Sequence, residues 1–147
     1  MPAPYPTIAC CISDDPAAEA VLAEAASLRA ASPGVLHLVT VVASARASLA
    51  GPFSYYADPP AEREGRAREW LDARVAAIPG ATAVALEGYP PRAVCHWAAE
   101  NDVDLIVAAA HRGFVERALL GGFAAYIAYH APCPVLLVRP PEPEEDG

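Results

Sequence analysis

The sequence predicts an α/β fold: a single domain with a doubly wound parallel sheet that helices cover on both faces. Short apolar runs recur along the chain without polar alternation, which is typical of strands buried on both sides. The segments between them have helical periodicity, and no hairpin turn joins consecutive runs, so each strand connects to the next through a crossover helix. With 147 residues, 54% of them hydrophobic, the chain is long enough for one such core.

Five strands and four helices follow from this pattern. The strands are predicted at Thr7–Ile12, Val35–Val42, Thr82–Leu86, Leu105–Ala110 and Val135–Val138. The helices are predicted from Pro16 to about Ala31, from about Ala61 to Ala77, from Arg92 to Glu100 and from about Gly122 to His130.

Local signals mark the ends of these elements. Asp15 is a good N-cap residue, and Pro16 suits the first position of the first helix. The connection Ala43–Pro60 is longer than a plain turn, and segments of this length are commonly functional flaps. We expect the domain to cover residues 1–140 and the acidic residues 141–147 to form a solvated, disordered tail.

Charge and composition exclude several functions. The net charge of −8 and the pI near 4.8 argue against nucleic acid as a partner, because proteins that bind it carry a basic face. The chain has no lysine, which excludes a P-loop lysine and a lysine Schiff base. No apolar run is long enough to span a membrane, and no basic region precedes the first apolar stretch, so a cytoplasmic location is expected.

No catalytic residue stands out. The serines lack a nucleophile-elbow context, and no carboxylate pair is spaced for acid–base chemistry, so weak ATP hydrolysis is the most that the sequence supports. The cysteines Cys10, Cys11, Cys95 and Cys133 have no CxxC or metal-ligand spacing, and we interpret them as small buried apolar residues. A thiol redox sensor that uses Cys95 or Cys133 is an alternative.

A ligand site is predicted where strands one and four end. In a doubly wound sheet these two ends lie side by side, which brings Ser13, Asp14 and Asp15 near Ala109–Gly113. The carboxylates could accept hydrogen bonds from ribose hydroxyls, while Arg112 and loop amides could hold phosphates. The alternative is that Asp14 and Asp15 only cap the helix. His111 and Arg112 would then simply face solvent.

The residues in these elements resemble the universal stress protein family over Thr7–Arg139. The similarity is sharpest in DLIVAAAHRG, in LLGGFAAYIAYHAPCPVLLVRP and in the Gly88-x-Pro90 turn before the third helix. This resemblance implies a Rossmann-like sheet of order 3-2-1-4-5 and homodimers that pair through the fifth strand, Pro134–Arg139. It also implies a regulatory or sensing role in the stress response, and some members of the family bind ATP or AMP.

The sequence departs from the nucleotide-binding branch of that family, which has Gly, two residues, Gly, nine residues, Gly and then Ser or Thr. If Gly121 is taken as the last glycine, Ala108 and His111 occupy the positions of the first two glycines. If Gly122 is taken as the last glycine, Ala109 and Arg112 occupy them. The resemblance thus implies a modified contact set: Ser13 and Asp14 after strand one, Val41 against adenine, and Ala109, His111, Arg112, Gly113, Gly121 and Gly122 near the phosphates. The main expectation is a non-catalytic regulatory dimer. Binding of ATP or AMP is the alternative.

Overall fold

The computed structural model describes residues 4–42, 60–110 and 122–141. All five predicted strands and four predicted helices are present. The strands are β1 Thr7–Cys11, β2 Val35–Val42, β3 Ala81–Glu87, β4 Leu105–Ala109 and β5 Val135–Val138. The helices are α1 Ala18–Ala31, α2 Pro60–Ala76, α3 Pro90–Glu100 and α4 Phe123–His130. Of the predicted connection Ala43–Pro60, residues 43–59 lie outside the described residues, and Pro60 begins α2. Of the predicted tail 141–147, residues 142–147 lie outside them too.

The strands form one parallel sheet of order β3-β2-β1-β4-β5, as predicted. Ile8 of β1 is in register with Leu36 of β2 on one side and with Leu105 of β4 on the other. The chain therefore starts in the middle of the sheet and winds outward in both directions. Because of this reversal, the carboxyl ends of β1 and β4 lie next to each other.

Both faces of the sheet are covered, which explains why the strands lack polar alternation. Ile8 and Cys10 pack on one face with Leu22 of α1 and Leu71 of α2, and the half-buried Trp70 joins this cluster. On the other face Ala9 and Cys11 pack in a second cluster. That cluster contains Val94 of α3 and Ile127 of α4. Cys10 and Cys11, as neighbours on a strand, therefore point to opposite faces of the sheet.

The start of α1 differs slightly from the prediction. The Asp15 side chain does accept a backbone hydrogen bond here, from the Ala17 N–H to its Oδ1 at 2.8 Å. Regular helix nevertheless begins at Ala18, two residues after Pro16. Pro16 and Ala17 form a turn in which the Asp15 carbonyl accepts from the Ala18 N–H at 3.1 Å. The residue that directly precedes regular helix is Ala17, which makes no side-chain capping bond, so Asp15 accepts a hydrogen bond in the turn before α1 and the helix starts later than the sequence predicts.

Arg29 and Gly34 hold the amino edge of the sheet together. The Arg29 guanidinium donates to the carbonyl oxygens of Tyr5, Pro6 and Val35 at 2.6, 3.2 and 3.2 Å. Gly34 has a φ of +153°, and a Cβ there would lie 2.2 Å from the Pro6 oxygen and from a guanidinium nitrogen of Arg29. Only glycine fits where the chain passes this close to its neighbours.

Asp104 adds a second connection at this edge. Its Oδ2 accepts from the Thr7 N–H at 2.8 Å, and its own N–H donates to the Thr7 carbonyl at 2.8 Å. The starts of β1 and β4 are thereby joined before their ladder begins. The sheet is fixed at its amino edge by side chains as well as by strand pairing.

Candidate functional site

A cleft of about 200 Å³ opens at the carboxyl edge of the sheet, where β1 and β4 end side by side. Three strands and three helices contribute to its walls. The residues of the β1 end and of α1 that line it are Cys11, Ile12, Ser13, Asp15, Ala17, Ala18 and Val21. The other lining residues are Val39 and Val41 of β2, Pro90 and Val94 of α3, Ala109 of β4 and Phe123 of α4.

The parallel ladders place these walls. Beyond the last residue of β1, the Ile12 N–H still donates to the Val39 carbonyl at 2.9 Å, so the chain leaves the sheet only at Ser13. In the same way the Ala110 N–H donates to the Val138 carbonyl at 2.7 Å. Each strand therefore keeps its pairing up to the cleft.

Most of the cleft lining is apolar. Among the described lining residues, Ser13 and Asp15 carry the polar side chains, and both are exposed. The lining is therefore suited to an apolar group with a few hydrogen-bonding atoms, as small-molecule sites generally are.

Cys11 also lines the cleft, and its side chain is buried. Burial raises its pKa far above the ordinary range, and the neighbouring thiols of Cys10, Cys95 and Cys133 raise it further. Burial likewise raises the pKa of Cys10 to about 12, and it raises the pKa values of Cys95 and Cys133. Since the thiolate is the reactive form, these shifts weigh against a thiol sensor.

The structure brings part of the predicted contact set together. Ser13, Val41 and Ala109 line the cleft, whereas Asp14 is exposed and is not one of the lining residues. Gly122 directly precedes α4 with φ −66° and ψ −178°, a conformation open to any residue. The remaining predicted contacts lie outside the described residues; they are His111, Arg112, Gly113 and Gly121.

Sequence reasoning missed several walls of the cleft. Val39 lies two residues before Val41 on the same face of β2, so the period of a strand could have indicated it. Pro90 belongs to the Gly88-x-Pro90 turn, which ends β3 at this same edge of the sheet. Asp15 lines the cleft, whereas the contact set that the resemblance implies contains Asp14 and not Asp15. Val94 and Phe123 carry no local signal that separates a cleft wall from a core residue.

His37 is not one of the residues that line the cleft, and its side chain has a hydrogen-bond partner. Its Nδ1 is hydrogen-bonded to the Thr82 hydroxyl, and its ring meets the Trp97 ring edge-on with centroids 5.3 Å apart. Burial lowers its pKa. Within the described ranges, no group of three His, Cys, Asp or Glu side chains could hold a metal ion.

Among the helices in residues 4–42, 60–110 and 122–141, none has the length and apolar character of a membrane span.

Comparison with known proteins identifies the family of this chain. The model of the universal stress protein family matches residues 4–139. A universal stress protein of Methanothermobacter thermautotrophicus is 39% identical over 57 residues, a match that spans 39% of this chain and 39% of that relative.

Solved structures share the fold at low sequence identity. UspA from Lactobacillus plantarum has a TM-score of 0.71 and 20% identity, over 92% of this chain and 98% of that one. A universal stress protein in complex with cAMP has a TM-score of 0.63 and 21% identity, over 91% of this chain and 96% of that one. A universal stress protein family protein from Arabidopsis thaliana with AMP bound has a TM-score of 0.64 and 19% identity, over 95% of this chain and 96% of that one. From the family match, which covers nearly the whole chain, we conclude that this protein belongs to the universal stress protein family.

Proposed function

We propose that this universal stress protein is a non-catalytic regulatory module of the stress response whose cleft binds an adenine nucleotide, ATP or AMP. The observation that carries the proposal is the largely apolar cleft at the point where the sheet reverses its winding, the usual ligand position in open α/β folds. Two proteins of the same fold with cAMP or AMP bound support the choice of ligand.

The walls of the cleft suit the two halves of a nucleoside. Val39 and Val41 of β2 and Val94 of α3 offer apolar contact to a planar base. The Ser13 hydroxyl at the end of β1 can donate to or accept from a ribose hydroxyl. The phosphates would then extend toward the segment that contains Arg112 and Gly113, as the sequence predicts.

Binding rather than turnover is proposed because the described cleft offers little for chemistry. The Oδ1 of Asp15 is occupied by the Ala17 N–H, and the Cys11 thiol is held in its protonated form by burial. A regulatory effect would instead come from the occupied cleft or from the dimer, through altered contacts with a partner protein.

Nucleotide binding is tested by thermal unfolding and by calorimetric titration with ATP and AMP. A ligand present at 100 times its Kd stabilises the folded state by about 2.7 kcal/mol, so the unfolding temperature rises measurably. Arg112→Ala is expected to weaken nucleotide binding at least tenfold through loss of a charge-assisted donor. Arg68→Ala is the matched control, since Arg68 is exposed on α2 beside Glu64. An unfolding temperature that millimolar ATP and AMP leave unchanged contradicts the proposal.

We also propose a homodimer formed through Pro134–Arg139. Strand β5 lies at the edge of the sheet, and Leu137 is 37% exposed there, a combination that monomers seldom leave uncovered. Sedimentation at micromolar concentration should give a dimer, and Leu137→Arg should give a monomer. A wild-type monomer in that experiment excludes the dimer.

A cytoplasmic location is proposed because all four cysteines are free thiols, as is usual in a reducing compartment. Fractionation of cells that express the protein tests this. Recovery of the protein in a secreted or membrane fraction would contradict it.

A further inference from the structure

We propose that the outer edge of β3, the side that faces away from β2, is a self-association surface. At this edge β3 pairs antiparallel with β3 of a second copy of this chain, and the two copies share one continuous sheet. The edge lies at the opposite end of the sheet from β5, so this interface is separate from the proposed dimer and independent of nucleotide binding.

The ladder between β2 and β3 shows which backbone groups of β3 point outward. The Gly88 N–H, directly after the strand, donates to the Val42 carbonyl at 3.2 Å, so Gly88 faces β2. Alternate residues of a strand in a parallel pair face the neighbouring strand, and those between them face away from it. The β3 residues whose N–H and C=O groups face away are Ala83, Ala85 and Glu87. In the described part of the chain no further strand lies beyond them.

Strand β3 lacks the features that commonly protect an edge strand. Its seven residues, ATAVALE, include no proline or lysine, and none of them is buried. Its register with β2 is continuous and has no bulge. Strand β5, at the other edge, has four residues, and Pro134 and Pro140 flank its segment. Since short length, lysine, proline and bulges all discourage pairing, β3 presents the more open edge of the two.

The strand is complementary to itself in an antiparallel pair. A two-fold axis at Val84 pairs all seven residues and places Ala83 opposite Ala85 of the second copy. The two Val84 side chains then meet on the face of the sheet that α3 covers, with Cα atoms about 4.5 Å apart. Glu87 lies opposite Ala81, so the two Glu87 carboxylates are about 20 Å apart and largely screened from each other.

The association is expected to be weak. Alanine side chains contribute little apolar area, so main-chain hydrogen bonds supply most of the attraction. Each copy also carries a net charge of −8, and the repulsion between two such copies falls as salt is added. We therefore expect self-association through β3 at near-millimolar protein concentration, and we expect it to increase with ionic strength.

Sedimentation of Leu137→Arg tests the β3 edge separately from the proposed β5 dimer. This variant should be a monomer at micromolar concentration and a dimer at near-millimolar concentration in high salt. Adding Ala83→Glu at the exposed Ala83 should weaken that association at least tenfold, because the two new carboxylates would be diagonal neighbours about 7–8 Å apart. The matched control is Ala23→Glu, which adds the same charge at an exposed position of α1, a helix that packs against β1 and β4. It should leave the association nearly unchanged.

A second pair of variants tests the backbone groups themselves. In the Leu137→Arg background, Ala85→Pro removes an outward N–H without removing a bond of the β2 ladder, and it should abolish the association. Ala85→Ser keeps that N–H and should associate like the background. If thermal unfolding shows that Ala85→Pro is not folded, Ala83→Glu and its control decide. Hydrogen exchange at the outward amides of β3 should slow as the protein concentration rises.

Three results would overturn the β3 interface. The first is a Leu137→Arg variant that stays monomeric at every concentration. The second is equal weakening by Ala83→Glu and Ala23→Glu. The third is full protection of the outward amides in the monomer, which would mean that another segment of the same chain covers this edge. A failure of ATP and AMP to bind would contradict the proposed function and leave this interface standing.

Discussion

The two edges of the sheet differ in how their polar groups are used. At the amino edge, Arg29 and Asp104 bind backbone groups of neighbouring segments, and Gly34 lets the chain pass close to Pro6. At the carboxyl edge, β1, β2 and β4 end around a cleft with mainly apolar walls, and Ser13 is exposed beside it. The same parallel strands therefore serve stability at one edge and ligand access at the other.

The largest expected effect is at the amino edge, from Gly34→Ala. The new Cβ would lie 2.2 Å from two neighbouring atoms, and the φ of +153° is unfavourable for alanine, so unfolding should require about 3 kcal/mol less free energy. Urea denaturation measures this. Gly65→Ala on α2 is the control, because nothing lies within 4 Å of its Cβ position and alanine is the better helix former. It should raise stability by about 0.5–1 kcal/mol. If the two substitutions changed the free energy of unfolding equally, the close contacts at Gly34 would not be what stabilises the amino edge.

Asp104→Ala should have the next largest effect. It removes the acceptor of the Thr7 N–H and leaves that half-buried donor without its partner, which costs about 1–2 kcal/mol of the free energy of unfolding. The exposed Asp72 of α2 provides the control Asp72→Ala, which should change stability by less than about 0.5 kcal/mol. The denaturant midpoints of the two variants, measured under the same conditions, give the difference in stability. A neutral Asp104→Ala would mean that strand pairing alone holds this edge.

At the carboxyl edge, Asp15→Ala should destabilise the protein by about 1 kcal/mol through loss of the hydrogen bond that the Ala17 N–H donates to Asp15 Oδ1 in the turn before α1. Asp15→Asn should lie close to the wild type because it keeps the acceptor. The unfolding temperatures of the wild type, Asp15→Ala and Asp15→Asn, measured without ligand, test this. If Asp15→Ala unfolds at the wild-type temperature, this hydrogen bond contributes nothing, and the side chain would serve the cleft alone.

The smallest expected effect is the contribution of His37 to the pH dependence of stability. Burial lowers the pKa of His37 in the folded state below its ordinary value of 6.5, so the unfolded chain binds the proton more readily. The contribution of neutral His37 to stability is therefore complete above pH 6.5 and is lost as the pH falls through the folded-state pKa. Denaturation of the wild type and His37→Gln at pH 8 and pH 5 should show a larger acid loss in the wild type. A parallel loss in both proteins would assign the acid sensitivity to other groups.

Strand period and crossover length are sufficient to predict the elements of this fold. The predicted strand ends at Ile12 and Ala110 each lie one residue beyond the observed strands, yet their N–H groups continue the ladders. Helix α3 begins at Pro90 instead of Arg92, because the first turn of a helix needs no N–H donors and accepts proline.

The site was harder to predict than the fold. Ser13 and Ala109 could be placed because the ends of adjacent parallel strands meet, a rule of topology rather than of side-chain chemistry. Val39 and Val94 are as apolar as any core residue, and only the three-dimensional arrangement distinguishes a wall from the interior. Asp14 and Asp15 are adjacent and chemically identical; the turn around Pro16 decides which of them reaches the cleft.

The packing of Trp97 has a practical consequence for spectroscopy. This indole lies on α3 one turn beyond Val94, which lines the cleft, and its ring contacts that of His37. The other tryptophan, Trp70, packs on the opposite face of the sheet under Arg74. A single-tryptophan variant that retains Trp97 would thus report any shift of α3 optically, and one that retains Trp70 would supply the reference signal from the same molecule.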